Sequence, residues 1–174
     1  MAEKNYAREW YEYGLEHDDP IVKFMLYWVA FNWLYSAYRG TPTPTMAIEN
    51  NVSSNRGCNR KRNPERDKIK AFCNANYEKL ARFDAFDREE AAIFMEQAVR
   101  SVINSHHRDD EEHLLNDLRN SENNSEKKIE SLLLTIYQVR CNLFHGSKSL
   151  EKKRDIDLVR ASSVLLEGYL EEVI

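Results

Sequence analysis

Residues 125–148 read SEKKIESLLLTIYQVRCNLFHGSK, a helical pattern whose apolar stripe is interrupted by one cation. Ile129, Leu132, Leu133, Ile136 and Leu143 recur at the spacing of one helical face, and Gly146 is suited to the left-handed stop that ends a helix. At about 100° per residue, Arg140 falls in the middle of that stripe, between the directions of Ile136 and Leu133. An always-charged guanidinium there costs several kcal/mol unless a carboxylate pairs with it or the stripe borders a wet cleft. His145 would point well away from Arg140 on an unbroken helix, so the two converge only if the helix unwinds near Gly146.

Upstream, Pro20 opens a second strong helix, with Asp18 or Asp19 as its cap and Arg39-Gly40 as its end. Phe24, Met25, Leu26, Tyr27, Trp28, Val29, Phe31, Trp33 and Leu34 leave it almost no polar face, which predicts a place at the centre of a bundle. Asn32 shares the direction of Ile21, Met25, Trp28 and Tyr35, so it reads as a lone amide within an apolar stripe. Either a neighbouring backbone group or tyrosine satisfies it, or it orients Arg140 and His145. The aromatics around it read as core rather than as a platform for bases.

A short first helix spans Asn5 to Glu16, with Tyr6, Trp10 and Tyr13 spaced to stick to something. Thr41 to Pro64 is rich in turn residues and predicts a long loop. Between Asn55 and Lys70 lie seven basic residues, among them Arg60, Lys61 and Arg62, against Glu65 and Asp67. Such a run is either solvated surface or a phosphate-contacting patch. Helices are then expected from about Pro64 to Asn74, with a looser stretch Ala75 to Asp87, and over Arg88 to Ser105, where Ile93, Met95, Ala98, Val99 and Val102 give a mixed apolar face. One or two turns around Leu114, Leu115 and Leu118 precede a break at Asn120 to Asn124. The last helix is Arg154 to Ile174, with Val159, Leu166, Tyr169, Leu170 and Val173 on one face.

With 174 residues, 42% of them hydrophobic, and only five Gly and four Pro, the chain predicts one domain of long regular elements. A net charge of −4 gives no global nucleic-acid signature, so any RNA contact has to be a local patch. Cys58, Cys73 and Cys141 are odd in number and lack ligand spacing with the histidines, so neither a disulfide framework nor a metal site is expected. His106-His107-Arg108-Asp109-Asp110-Glu111-Glu112 reads as a solvated helix end. No signal peptide is recognised at Met1 to Glu12, and Ile21 to Tyr38 carries Lys23, Asn32 and Ser36, against a membrane span. A reduced, soluble, cytoplasmic protein is the expectation.

Arg140, four residues and then His145, at the end of the penultimate helix of an all-helical chain, resembles the Arg-x4-6-His motif of HEPN domains (higher eukaryote and prokaryote nucleotide-binding). Val139 to Gly146 as a block and Val-Ala-Phe-Asn-Trp-Leu-Tyr at Val29 to Tyr35 carry the likeness, which covers Pro20 to Tyr38 and Ser125 to Ile174. Cys141 stands where the family often has a polar residue, and Asn142 is the candidate to take over that role.

The resemblance implies an all-α, single-domain bundle of four core helices plus short extra ones. It also implies a metal-independent endoribonuclease without cofactor, its site shared across a homodimer. Arg140 and His145 would be catalytic, with Asn142 and Asn32 in support and Lys148, Arg60, Lys61 and Arg62 on the RNA path. Such domains act as toxins in toxin–antitoxin or phage-defence systems, so a cognate antitoxin is a further implied partner. Two alternatives stand beside this: a non-catalytic module binding RNA, nucleotide or protein, and a plain helical scaffold.

Overall fold

The computed structural model describes residues 5–38, 64–102, 108–120, 122–144 and 152–174, and these hold seven α-helices and no strand. They are α1 (Tyr6–Leu15), α2 (Pro20–Ser36), α3 (Pro64–Leu80), α4 (Glu89–Val102), α5 (Arg108–Arg119), α6 (Ser125–Phe144) and α7 (Lys153–Val173). The chain is all-α, as its periodicities predict. No helix among the described residues is long and apolar enough to cross a membrane.

Local chemistry fixes the starts. The Asn5 side chain accepts from Arg8 N at 3.2 Å at the head of α1, and Asp19 accepts from Ile21 N and Val22 N at 2.8 and 3.0 Å, with Pro20 in the first turn of α2. Asn124 accepts from Lys127 N at 2.9 Å where α6 begins. Asp155, almost wholly buried near the start of α7, accepts from Nε and Nη2 of Arg154 at 3.0 and 2.9 Å, which offsets the desolvation of its charge.

Packing then orders the helices. α2 lies between α1 on one side and α7 and α3 on the other, α4 packs on α7, and α6 packs on α5, α3 and α7. Phe24, Tyr27, Phe31 and Tyr35 of α2 are completely or almost completely buried and meet Ile69 and Phe72 of α3, Leu132, Leu133 and Ile136 of α6, and Val159, Leu166 and Tyr169 of α7 in one core. Phe31 sits edge-on to Phe72 at 5.4 Å and to Tyr35 at 5.1 Å, the favoured aromatic geometry. Close approach of α7 to the segment after α3 needs Gly168, where a Cβ would come within 2.3 Å of the Phe83 ring.

Three expectations change. α2 is not enclosed on every side: Val22, Val29, Asn32 and Trp33 are exposed, and with Tyr6, Trp10 and Tyr13 of α1 they leave an aromatic-rich outer face on which Tyr6 and Trp33 touch at 6.1 Å. α3 runs on to Leu80, through what reads as a looser stretch, because Leu80 is buried and the Asn76 amide is satisfied by Phe72 O and Tyr38 Oη, each at 2.9 Å. α4 turns inward with Ala91, Phe94 and Ala98, so Phe94, missing from the expected face, is its main anchor.

One half-buried acid makes a test of the fold. Glu130 on α6 is paired with Lys70 on α3 at 3.7 Å, yet burial raises its carboxyl pKa above the ordinary range against the pull of Lys70. The folded chain therefore holds the Glu130 proton more tightly than the unfolded one. The stability this contributes is present below the ordinary carboxyl pKa and is lost as pH rises through the folded value. Glu130→Gln should melt higher than wild type at neutral pH, with the advantage fading as pH falls to about 4. An advantage that does not change with pH would assign the effect to something other than titration.

Candidate functional site

Arg140 lies in the last turns of α6, half-buried, against two rings: its Cζ is 5.7 Å from the Trp28 ring of α2 and 4.7 Å from the ring of Phe144, one turn further along α6. Among the described residues its buried Nε has no hydrogen-bond partner and its Nη1 reaches only Cys141 Sγ, at 4.0 Å, a weak acceptor. Among the described residues no carboxylate forms an ion pair with it. Trp28 is 3% exposed and its Nε1 donor likewise has no partner.

Cation–π contacts of this kind contribute about 0.5–2 kcal/mol each. Removing a guanidinium from water costs several kcal/mol, so the rings hold the charge in place without compensating it in full. Two unspent donors, an indole N–H and a guanidinium Nε, thus belong to side chains that are in contact.

A carboxylate does lie in the neighbourhood, and two phenols occupy it. Glu65, in the first turn of α3, accepts from Tyr35 Oη of α2 at 2.6 Å and from Tyr137 Oη of α6 at 3.1 Å. Tyr35 is 1% exposed, and its hydroxyl pKa is pushed far above the usual phenol value by burial first, then by its bond to Glu65 and by that carboxylate's charge; Arg140 acts in the opposite direction. Glu65 therefore ties together the two helices that carry Trp28 and Arg140.

The supporting residues expected from sequence are placed less closely. Asn32 is exposed, one turn beyond Trp28, which corrects its reading as a buried amide: the neighbours of α2 cover Trp28 and Tyr35 but stop short of it. Asn142 is two positions beyond Arg140, about 200° round the helix, and accepts from Gln138 Nε2 at 3.1 Å. No hydrogen bond joins Arg140 to either amide among the described residues. His145, Lys148, Arg60, Lys61 and Arg62 lie outside the described residues.

Sequence reading places Trp28 only in the core and passes over Phe144 and Glu65. Phe144 follows Arg140 at four residues, a spacing that predicts contact on a helix, so that signal was available. Glu65 meets its phenols across 30 and 72 residues of chain, which no local pattern conveys. Elsewhere, a shallow groove on α5 is lined by Glu112, His113, Asn116 and Asp117, the wrong charge for a phosphate.

Compared with models of known protein families, with curated proteins and with solved structures, the chain matches none.

Proposed function

We propose that the chain is a metal-independent endoribonuclease whose site is completed by a second copy of itself. The observation that carries this is Arg140, a cation without a carboxylate partner among the described residues, held between two rings beside a second unspent donor. An Arg kept in this way retains its charge and much of its planar fork for phosphate oxygens. The exposed aromatic face of α1 and α2 supports self-association, since so much apolar surface on one small chain marks an interaction site.

In the proposed reaction the ribose 2′-oxygen attacks the adjacent phosphorus and the bond to the 5′-oxygen breaks. One His145 takes the 2′-hydroxyl proton, its symmetry mate gives a proton to the departing oxygen, and Arg140 holds the charge that gathers on the phosphoryl oxygens. The products are a 2′,3′-cyclic phosphate and a 5′-hydroxyl.

The test is the purified chain with end-labelled single-stranded RNA in excess chelator. Cyclic phosphate ends from a species that sediments as a dimer are expected. Intact RNA would leave the chain a binding module, and cleavage by a strict monomer would remove the shared site.

A further inference from the structure

The Phe144 ring closes over Arg140 at 4.7 Å, yet the residue is 53% exposed, the most exposed of the large apolar side chains described. A phenyl group left in water forgoes the free energy of its burial, and at the end of a helix it could have been replaced by a polar residue at no cost to the core. Its partner is a guanidinium with no ion pair among the described residues, and behind that guanidinium lies Trp28, whose buried indole N–H has no acceptor among them either. An aromatic surface open to solvent therefore adjoins a cation with unspent donors.

That pairing fits a ligand with a flat apolar ring and an anionic group a few ångströms away, which is the make-up of a nucleotide unit. No single unmodified amino-acid side chain carries both a ring and an anionic group, and a membrane surface offers no ring. Arg140 would take the phosphate at the edge of its fork while one face of Phe144 takes the base.

We propose that Phe144 is a base-stacking residue of single-stranded RNA, seating the nucleobase next to the phosphate held by Arg140. This rests on the reading of Arg140 as a phosphate ligand. Every base has a π-face, so the contact adds affinity with little sequence preference. It also discriminates against duplex RNA, whose bases are already stacked on one another.

The experiment uses two probes that cannot be cleaved: a single-stranded 2′-O-methyl RNA and a backbone oligomer of the same length made of abasic deoxyribose phosphates. Stacking of one base is worth about 1–3 kcal/mol by substitution, so Phe144→Leu should weaken the RNA about 5- to 150-fold. The abasic oligomer should bind it as it binds wild type. Phe144→Trp should restore RNA binding, and Arg140→Ala should weaken both probes.

If Phe144→Leu binds the 2′-O-methyl RNA as wild type does while Arg140→Ala does not, the stacking role is wrong and the phosphate role survives. If Arg140→Ala binds both probes normally, or wild type binds neither, both readings fall together. Equal loss of both probes in Phe144→Leu would make the ring a support for Arg140 and overturn stacking. A Phe144→Leu chain that sediments as a monomer where wild type is a dimer would make it an interface residue and overturn stacking too.

Discussion

Arg140→Ala should lower RNA cleavage by at least about 100-fold, the effect of removing one donor from a developing oxyanion, while the melting temperature stays where it is or rises. The unusual part is the second half. Breaking a buried ion pair costs about 3–5 kcal/mol, and a chain of this length loses about 2–4 °C per kcal/mol, so a structural Arg140 would reveal itself as a large drop. Here the described residues offer no carboxylate to strand. What is lost is the contact with Trp28 and Phe144, about 0.5–1 kcal/mol apiece at partly exposed sites. What is relieved is a partly desolvated charge and a buried Nε that nothing accepts, a group that costs about 1–3 kcal/mol when left unpaired. The two sides are of similar size, and the balance leans toward relief. Arg140→Lys keeps the charge but not the planar fork, so it should melt like wild type and still cleave poorly. A large drop in melting temperature with normal cleavage by the folded fraction would falsify the assignment.

The same arithmetic shows what could be read from the chain alone. Arg140 is legible because a strict helical stripe allows only apolar residues, and a cation within it is a local anomaly that needs no partner to be noticed. Asp19 and Pro20 are legible for a similar reason, since capping is chemistry between neighbours. Asn32 shares the direction of Trp28 on α2, one turn away, yet it is exposed: the direction of a side chain follows from sequence, whereas the edge of the neighbouring helix does not. The sequence expectation ends α3 at about Asn74, whereas the helix continues to Leu80. Asn76 stays within the helix with its amide bonded to Phe72 O and to Tyr38 Oη, the second a partner 38 residues away that no local pattern conveys.

Glu65→Ala should destabilise the fold by about 3 kcal/mol, two hydrogen bonds to a charged group taken at the lower end of their range because the site is only partly buried. At this chain length that is a fall of about 6–12 °C. The loss is large because Tyr35 is itself almost wholly buried and its hydroxyl loses the carboxylate that accepts from it. Glu65→Gln is the informative companion. Its amide oxygen can still accept from Tyr35, and its NH₂ can donate to the Tyr137 oxygen, so it should cost only about 1 kcal/mol. Tyr35→Phe made on top of Glu65→Ala should add almost nothing, since the bond it removes is already gone. For function, Glu65 joins α2 to α6 through these phenols and thereby sets how Trp28 meets Arg140, so Glu65→Gln should keep most of the cleavage rate at temperatures where it is folded. A Glu65→Gln chain that melts like wild type but no longer cleaves would mean that this carboxylate acts on the substrate itself, and the roles given to His145 would then have to be reassigned.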